Sequence, residues 1–190
     1  MRVRFVVVFD ACVLYPAPLR DFLIRLATTG LFAARWSDQI HEEWIRNILV
    51  KRPDLNQTQL QRTRKLMNMA VPDCLVSGHD GIEPALDLPD PDDRHVLAAA
   101  IVAHAQMIVT FNLKDFPPEK LAPFGVEAIH PDRFIECQMD LREAVVIQTA
   151  RAQRHSLKNP ERSAEEFLDT LAAVGLPVSA DRLKEFQEFI

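Results

Sequence analysis

The 190-residue chain carries 22 Lys and Arg against 27 Asp and Glu, a net charge of −5, and 48% of its residues are hydrophobic. A chain of this length and balance hides roughly 70% of its unfolded surface in one main core, and its negative charge excludes a polycation that coats nucleic acid nonspecifically. The average conceals local contrast: residues 46–65 hold six basic residues and one acidic, whereas residues 80–93 hold six acidic and none basic.

Residues 4–9, Arg-Phe-Val-Val-Val-Phe, form a short β-branched and aromatic run of the kind buried on both faces of a parallel sheet, stopped by Asp10. This predicts a first strand followed by a loop. The apolar stretch from Val3, broken by Arg4, is too short for a signal peptide core or a membrane span. Residues 16–29 place Leu19, Phe22, Leu23 and Leu26 at helical spacing, with Pro16 at the start and Gly30 beyond the end. Residues 31–36 read as a second strand. Ser37 is positioned as N-cap of a helix bearing Ile40, Trp44, Ile45, Ile48 and Leu49, which Pro53 ends.

A third helix is expected over 56–70 and a short strand over 74–76, followed by a polar, acidic, Pro-rich loop over 77–93. Residues 94–105 are Ala-rich and helical, 107–111 read as a buried strand and 126–129 as an edge strand, with Pro117 and Pro118 breaking the segment between. The order β-α-β-α-α-β-α-β-β implies right-handed crossovers, hence a three-layer α/β/α domain around a mainly parallel five-stranded sheet. Beyond it only helices are expected, over 132–156, 163–173 and 179–190, separated by Asn159-Pro160 and Gly175-Leu-Pro177. The division is therefore residues 1–136 for the α/β domain and 137–190 for a helical extension.

Several enzyme classes drop out. The chain has five glycines and neither GxGxxG nor GxxxxGK followed by Ser or Thr, so the usual phosphate cradles of dinucleotide and P-loop proteins are absent. Cys12, Cys74 and Cys137 are odd in number and lack ligand spacing, which argues against disulfides or a structural zinc and fits a reducing cytoplasmic setting. The six histidines are scattered, none beside an evident nucleophile, and default to surface or core roles.

In a parallel α/β sheet, loops after strands and the helix N-termini that follow them lie at the carboxyl edge, where ligands bind. Asp10 follows the first strand; Glu42 and Glu43 lie in the second turn of the helix after strand two; Asp90, Asp92 and Asp93 precede the helix after strand three; Asp115 follows strand four. All fall on one edge. Like charges gathered in one crevice repel strongly unless a cation neutralises them, and hard divalent ions prefer oxygen, so Mg²⁺ or Mn²⁺ is the simplest resolution. Singly, Asp93 also reads as a helix cap, Asp115 as a turn residue, and Glu42 or Glu43 as solvated helix surface. Asp10 resists such a reading, because an acid abutting so apolar a strand is expensive to desolvate without a partner.

The segments Phe9-Asp-Ala-Cys-Val-Leu-Tyr-Pro16, Trp36-Ser-Asp-Gln-Ile-His-Glu-Glu-Trp-Ile-Arg46, Asp90-Pro-Asp-Asp-Arg-His-Val-Leu-Ala-Ala-Ala100 and Val109-Thr-Phe-Asn-Leu-Lys-Asp-Phe-Pro117 together resemble the PIN-domain nucleases, in particular VapC-type toxins of bacterial toxin–antitoxin pairs. The resemblance covers about residues 5–134 and rests on four acidic motifs in the right order. It matches the family's first Asp to Asp10, its helix Glu to Glu43 with Glu42 as the alternative, its third acid to Asp93 and its fourth to Asp115. Thr110 and Asn112 match the family's polar residues beside the metal.

The resemblance implies Mg²⁺- or Mn²⁺-dependent hydrolysis of RNA phosphodiesters. Asp10, Asp93 and Asp115 would hold metal, and Glu43 would orient or deprotonate the attacking water. It also implies a homodimer and a cognate antitoxin whose C-terminal segment enters the groove. Arg46, Lys51, Arg52, Arg62, Arg64 and Lys65, a stretch that starts on the Glu43 helix, would guide the RNA backbone, or else form a solvated helical face. The C-terminal helices depart from the minimal family pattern. Two other readings stand beside this one: a catalytically idle PIN-like binding module, and an acidic-site phosphohydrolase of the haloacid-dehalogenase type. The latter uses Asp-x-Asp after strand one, where Cys12 occupies the second position here.

Overall fold

The computed structural model describes residues 5–190; Arg4, expected to open the first strand, lies outside them. β1 (Val6–Phe9) is the middle strand of a five-stranded sheet ordered β3-β2-β1-β4-β5, with β2 (Ala33–Ser37), β3 (Leu75–Val76), β4 (Met107–Val109) and β5 (Glu127–Ile129). Every pairing is parallel, including those of the two edge strands. Helices cover both faces of such a sheet, which is why Val7, Val8 and Phe9 are wholly buried and the strand reads as a continuous apolar run.

The predicted loop after β1 is instead a one-turn helix, α1 (Ala11–Leu14), with Asp10 at its N-cap position making no side-chain cap bond. α2 (Ala17–Thr28) follows, opened by Pro16 as expected, and Gly30 turns the chain at φ 79°. β2 begins two residues later than predicted because Phe32 turns into an aromatic cluster with Phe9 and Phe134, whose centroids lie 6.0 and 5.0 Å away. Ser37 caps α3 (Asp38–Lys51), its Oγ accepting from the Ile40 amide at 3.2 Å, and Asn56 caps α4 (Gln57–Ala70) in the same way.

The acidic loop after β3 contains two single-turn 3-10 helices, Glu83–Ala85 and Pro91–Asp93. α5 (Arg94–Val102) ends earlier than predicted, and His104 at φ 51° completes the turn into β4. β4 also stops short, at Val109, because Phe111 donates its amide to Cys12 Sγ at 3.2 Å instead of continuing the ladder. A short helix, α6 (Pro118–Leu121), bridges to β5.

The C-terminal helices are α7 (Pro131–Ser156), α8 (Ala164–Ala173) and α9 (Pro177–Lys184). The single helix expected over 132–156 is broken at Arg142, whose φ of −153° and ψ of 64° lie outside the helical region. Arg182 spans the break, its guanidinium 2.8 Å from Asp140 and 3.8 Å from Glu143. The last helix starts at Pro177, whose missing N–H suits the first turn, and gives way after Lys184 to a 3-10 turn over Gln187–Phe189 rather than running to the end. Ser163 and Glu166 form a capping box on α8. The position 136/137 falls inside α7.

These helices are continuous with the α/β core. Phe134 joins the Phe9–Phe32 cluster, Gln153 donates to the Pro18 carbonyl at 2.8 Å, and buried Asp132 bonds to the start of α9. Among the described residues no helix is long and apolar enough to cross a membrane.

Candidate active site

Asp10 leaves β1 at the carboxyl edge with 1% of its surface exposed. Its Oδ2 accepts from Thr110 Oγ1 at 2.7 Å and from the Cys12 thiol at 3.0 Å. Thr110 stands there because β4 is the strand next to β1, with Val109 paired to Phe9; the Thr110 hydroxyl in turn accepts from the backbone N–H of Asn112 at 2.9 Å. Burial raises the Asp10 pKa, and the Glu43 charge pushes it the same way, against the two side-chain hydrogen bonds. Burial and the Asp10 charge likewise push the Cys12 thiol up, so it stays protonated and donates.

Asp93 precedes α5 at the adjacent edge position, 8% exposed, and its side chain makes no cap bond. The alternative reading of Asp93 as a helix cap therefore fails, and the capping of the preceding turn falls to Asp90, whose Oδ1 accepts from the Asp92 amide. Burial, followed by the charges of Asp10, Asp90, Glu43 and Asp115, pushes the Asp93 pKa up to about 7. Four acids predicted from four separate segments thus converge on one electrostatic environment. Asp115 enters from the 3-10 turn Leu113–Asp115, half-buried, with its amide donating to the Asn112 carbonyl at 2.9 Å. Asp92 is exposed.

Of the two α3 glutamates, Glu43 is the half-buried one, and its charge bears on both Asp10 and Asp93; Glu42 is exposed. Glu43 Oε2 lies 3.1 Å from His95 Nε2. The carboxylate can only accept, so Nε2 carries the hydrogen. His95 is thereby corrected from a default surface or core histidine to a neighbour of the site, and Cys12 joins it. Neither was visible in local spacing, because their partners are far away in sequence: Glu43 is 52 residues from His95, and Thr110 is 98 from Cys12.

A groove of about 560 Å³ opens beside these acids, lined by Glu43, Asp93, His95 and Asn112 together with Arg46, one turn beyond Glu43. Other basic residues of the 46–65 stretch are partly committed. Arg52 pairs with Asp54 at 2.7 Å and Arg64 with Asp38 at 2.7 Å, while Lys51 Nζ sits 5.3 Å from the Tyr15 ring; Arg62 and Lys65 are exposed on α4. A larger hollow of about 940 Å³ lies between α2, α4 and the turn after α7, and none of the four acids lines it.

A family model described as PIN domain matches residues 6–114, and one described as VapC50 C-terminal domain matches residues 131–185. The first match spans Asp10, Glu43, Asp93, Thr110 and Asn112 and ends one residue before Asp115. Among curated proteins, "Putative ribonuclease VapC50" of Mycobacterium tuberculosis is 40% identical over 79 residues, which is 42% of this chain and 47% of that protein. The matched part is thus about half of that relative's length. No solved structure is significantly similar to the chain.

Proposed function

The chain belongs to the PIN domain family, and from that premise we propose that it is a divalent-metal-dependent endoribonuclease that serves as the toxin of a toxin–antitoxin pair. The observation that carries the reading is the burial of two carboxylates, Asp10 at 1% and Asp93 at 8% exposure, at the carboxyl edge of the sheet beside Glu43 and Asp115. A carboxyl pushed up to about 7 by burial and by surrounding acids is poorly matched to the protein alone and well matched to a site completed by a cation. The donors are all oxygen, the set preferred by Mg²⁺ or Mn²⁺ rather than by softer ions.

In this reading Asp10, Asp93 and Asp115 would hold the metal, which would supply Lewis-acid stabilisation of phosphoryl charge and a water of lowered pKa. Thr110 holds the Asp10 carboxylate in one rotamer through its 2.7 Å bond, and the backbone N–H of Asn112 orients that hydroxyl. Glu43 would orient the attacking water and accept its proton. His95, donating to Glu43 Oε2, fixes which oxygen faces the reaction. Arg46, on the groove wall, meets the RNA backbone, with Lys51, Arg62 and Lys65 as further phosphate contacts along α3 and α4.

Residues 1–136 carry the chemistry and 137–190 form the helical extension. A cognate antitoxin that closes the groove, a homodimer and a cytoplasmic location complete the proposal, supported by the likeness to a VapC-named protein. The test is cleavage of a pool of structured cellular RNAs by wild type and Asp10→Asn, with Mg²⁺, Mn²⁺ or EDTA. Metal-dependent cutting that falls by orders of magnitude in the variant is expected. Equal cutting by Asp10→Asn, or none in any lane, sinks the reading, and no cutting together with no Mn²⁺ binding in calorimetry favours an idle binding module.

A further inference from the structure

The loop between β3 and α5 carries a second group of donors that the nuclease reading does not use. A ring nitrogen of His79, a carboxylate oxygen of Asp80 and one of Glu83 lie within 4.8 Å of one another. His79 is 4% exposed, so its imidazole belongs to the interior. Its Nε2 lies 2.6 Å from Gln39 Oε1 on α3, an oxygen that only accepts, so Nε2 carries the hydrogen and Nδ1 is left with its lone pair. Among the described residues neither His79 Nδ1 nor Glu83 Oε1 has a hydrogen-bond partner, and both are buried. Glu83 Oε1 lies 3.6 Å from His79 Nε2, so the carboxylate already stands against the ring, and the buried Nδ1 lone pair left without a donor is costly.

We infer that His79, Asp80 and Glu83 form a second metal site, separate from the Asp10–Asp93 acids and suited to a borderline ion of the Zn²⁺ class. One imidazole nitrogen and two carboxylates match the donor types of Zn²⁺ rather than the all-oxygen preference of Mg²⁺. The Gln39 bond supplies what metal-binding imidazoles usually have, an acceptor on the other ring nitrogen that fixes tautomer and orientation. Ligands about 2.0–2.2 Å from an ion lie nearer to one another than the outer limit observed here, and exposed Asp80 has the freedom to close the set. Three protein ligands leave a fourth position for water. The ion ties the acidic loop to itself beside Gln39, and Glu83 also lines the groove of Glu43 and Asp93, so the bound charge sits at the margin of the nuclease site.

The experiment is calorimetric titration of the full chain with Zn²⁺ in an Asp10→Asn/Asp93→Asn background, which removes two acids of the nuclease site and leaves His79, Asp80 and Glu83 unchanged. About one Zn²⁺ per chain is expected to bind there. His79→Gln and Asp80→Asn, each added to that background, are expected to weaken binding at least tenfold. Asp80 is exposed, so its variant reports on ligation even if His79→Gln unfolds. Absence of Zn²⁺ binding in the double variant, or an unchanged affinity on adding Asp80→Asn, overturns the site. The readout does not depend on RNA cleavage, so failure of the nuclease reading leaves this inference standing or falling separately.

Discussion

Gly175, in the turn between α8 and α9 at φ 100°, packs against the ring of Phe111 so closely that a Cβ there would fall 2.6 Å from Phe111 Cε1. Phe111 sits between Thr110 and Asn112, and its amide donates to Cys12 Sγ. The helical extension therefore bears directly on the loop that supports Asp10. Gly175→Ala meets both a strained positive φ and the ring, which together cost about 1–3 kcal/mol. We expect a lower melting temperature and, well below that temperature, slower RNA cleavage. Adding Phe111→Leu relieves the clash but not the strain, so the double variant should recover only part of the loss. Full additivity of the two changes would mean that the contact carries no coupling.

Asp132 fastens α7 to α9 with both carboxylate oxygens. Oδ2 accepts from the Val178 amide at 2.9 Å, and Oδ1 from the Ser179 amide at 2.8 Å and its hydroxyl at 2.6 Å. The residue is 6% exposed, so Asp132→Ala leaves the Val178 and Ser179 amides without their acceptor, while the Ser179 hydroxyl keeps the Asp132 carbonyl at 3.1 Å, and the variant is expected to lose about 2–4 kcal/mol in urea denaturation. Asp132→Asn keeps acceptor capacity at one oxygen only and should fall between. A loss of less than about 0.5 kcal/mol in Asp132→Ala would show that water replaces the carboxylate.

The layout of the α/β part was legible because its causes are local. The Val-rich run of β1, the Ser37 cap and Pro16 each impose a conformation on their own neighbourhood, and alternation then dictates parallel pairing. That Asp10, Asp93 and Asp115 share the carboxyl edge of the sheet followed from topology alone. What failed to show was whatever depends on contacts across the fold. Glu42 and Glu43 differ only in the rotational setting of α3, and no spacing rule tells which one turns inward. Helix α1 was hidden because four residues give no periodicity. The break at Arg142 lacks the Pro or Gly that marks most kinks. His95 and Cys12 acquire partners only when distant segments meet.

His95 is expected to matter for rate rather than for folding. Its Nε2 donor holds Glu43, while its Nδ1 is buried without a partner among the described residues. His95→Phe removes the donor at similar bulk and should slow cleavage roughly 10- to 100-fold, with Mn²⁺ affinity, set mainly by the aspartates, changed much less. His95→Gln, which can still reach Glu43 with an amide N–H, should restore part of the rate. Were His95→Phe to cleave as fast as wild type with an unchanged pH profile, the imidazole would be packing only.

Asp93 links activity to stability with a definite sign. Its pKa is pushed up from 3.8 to about 7 in the folded chain, so folded protein holds the proton more tightly than unfolded chain does. Below about pH 3.8 the carboxyl is protonated in both states and costs nothing through its charge. As pH rises from there, the unfolded chain releases the proton first, and stability contributed by this group falls until about pH 7, above which the penalty is fully present. Asp93→Asn, which cannot ionise, should therefore melt higher than wild type at about pH 8 in EDTA while cleaving RNA far more slowly, and the difference in melting temperature should shrink toward about pH 4. Saturating Mg²⁺ should raise the melting temperature of wild type above that of the variant, because the ion binds the folded state through the ionised carboxylates. If Asp93→Asn instead melts lower at pH 8 without metal, its carboxylate is stabilised by contacts within the protein, and the crowding of acids around it is not the dominant force.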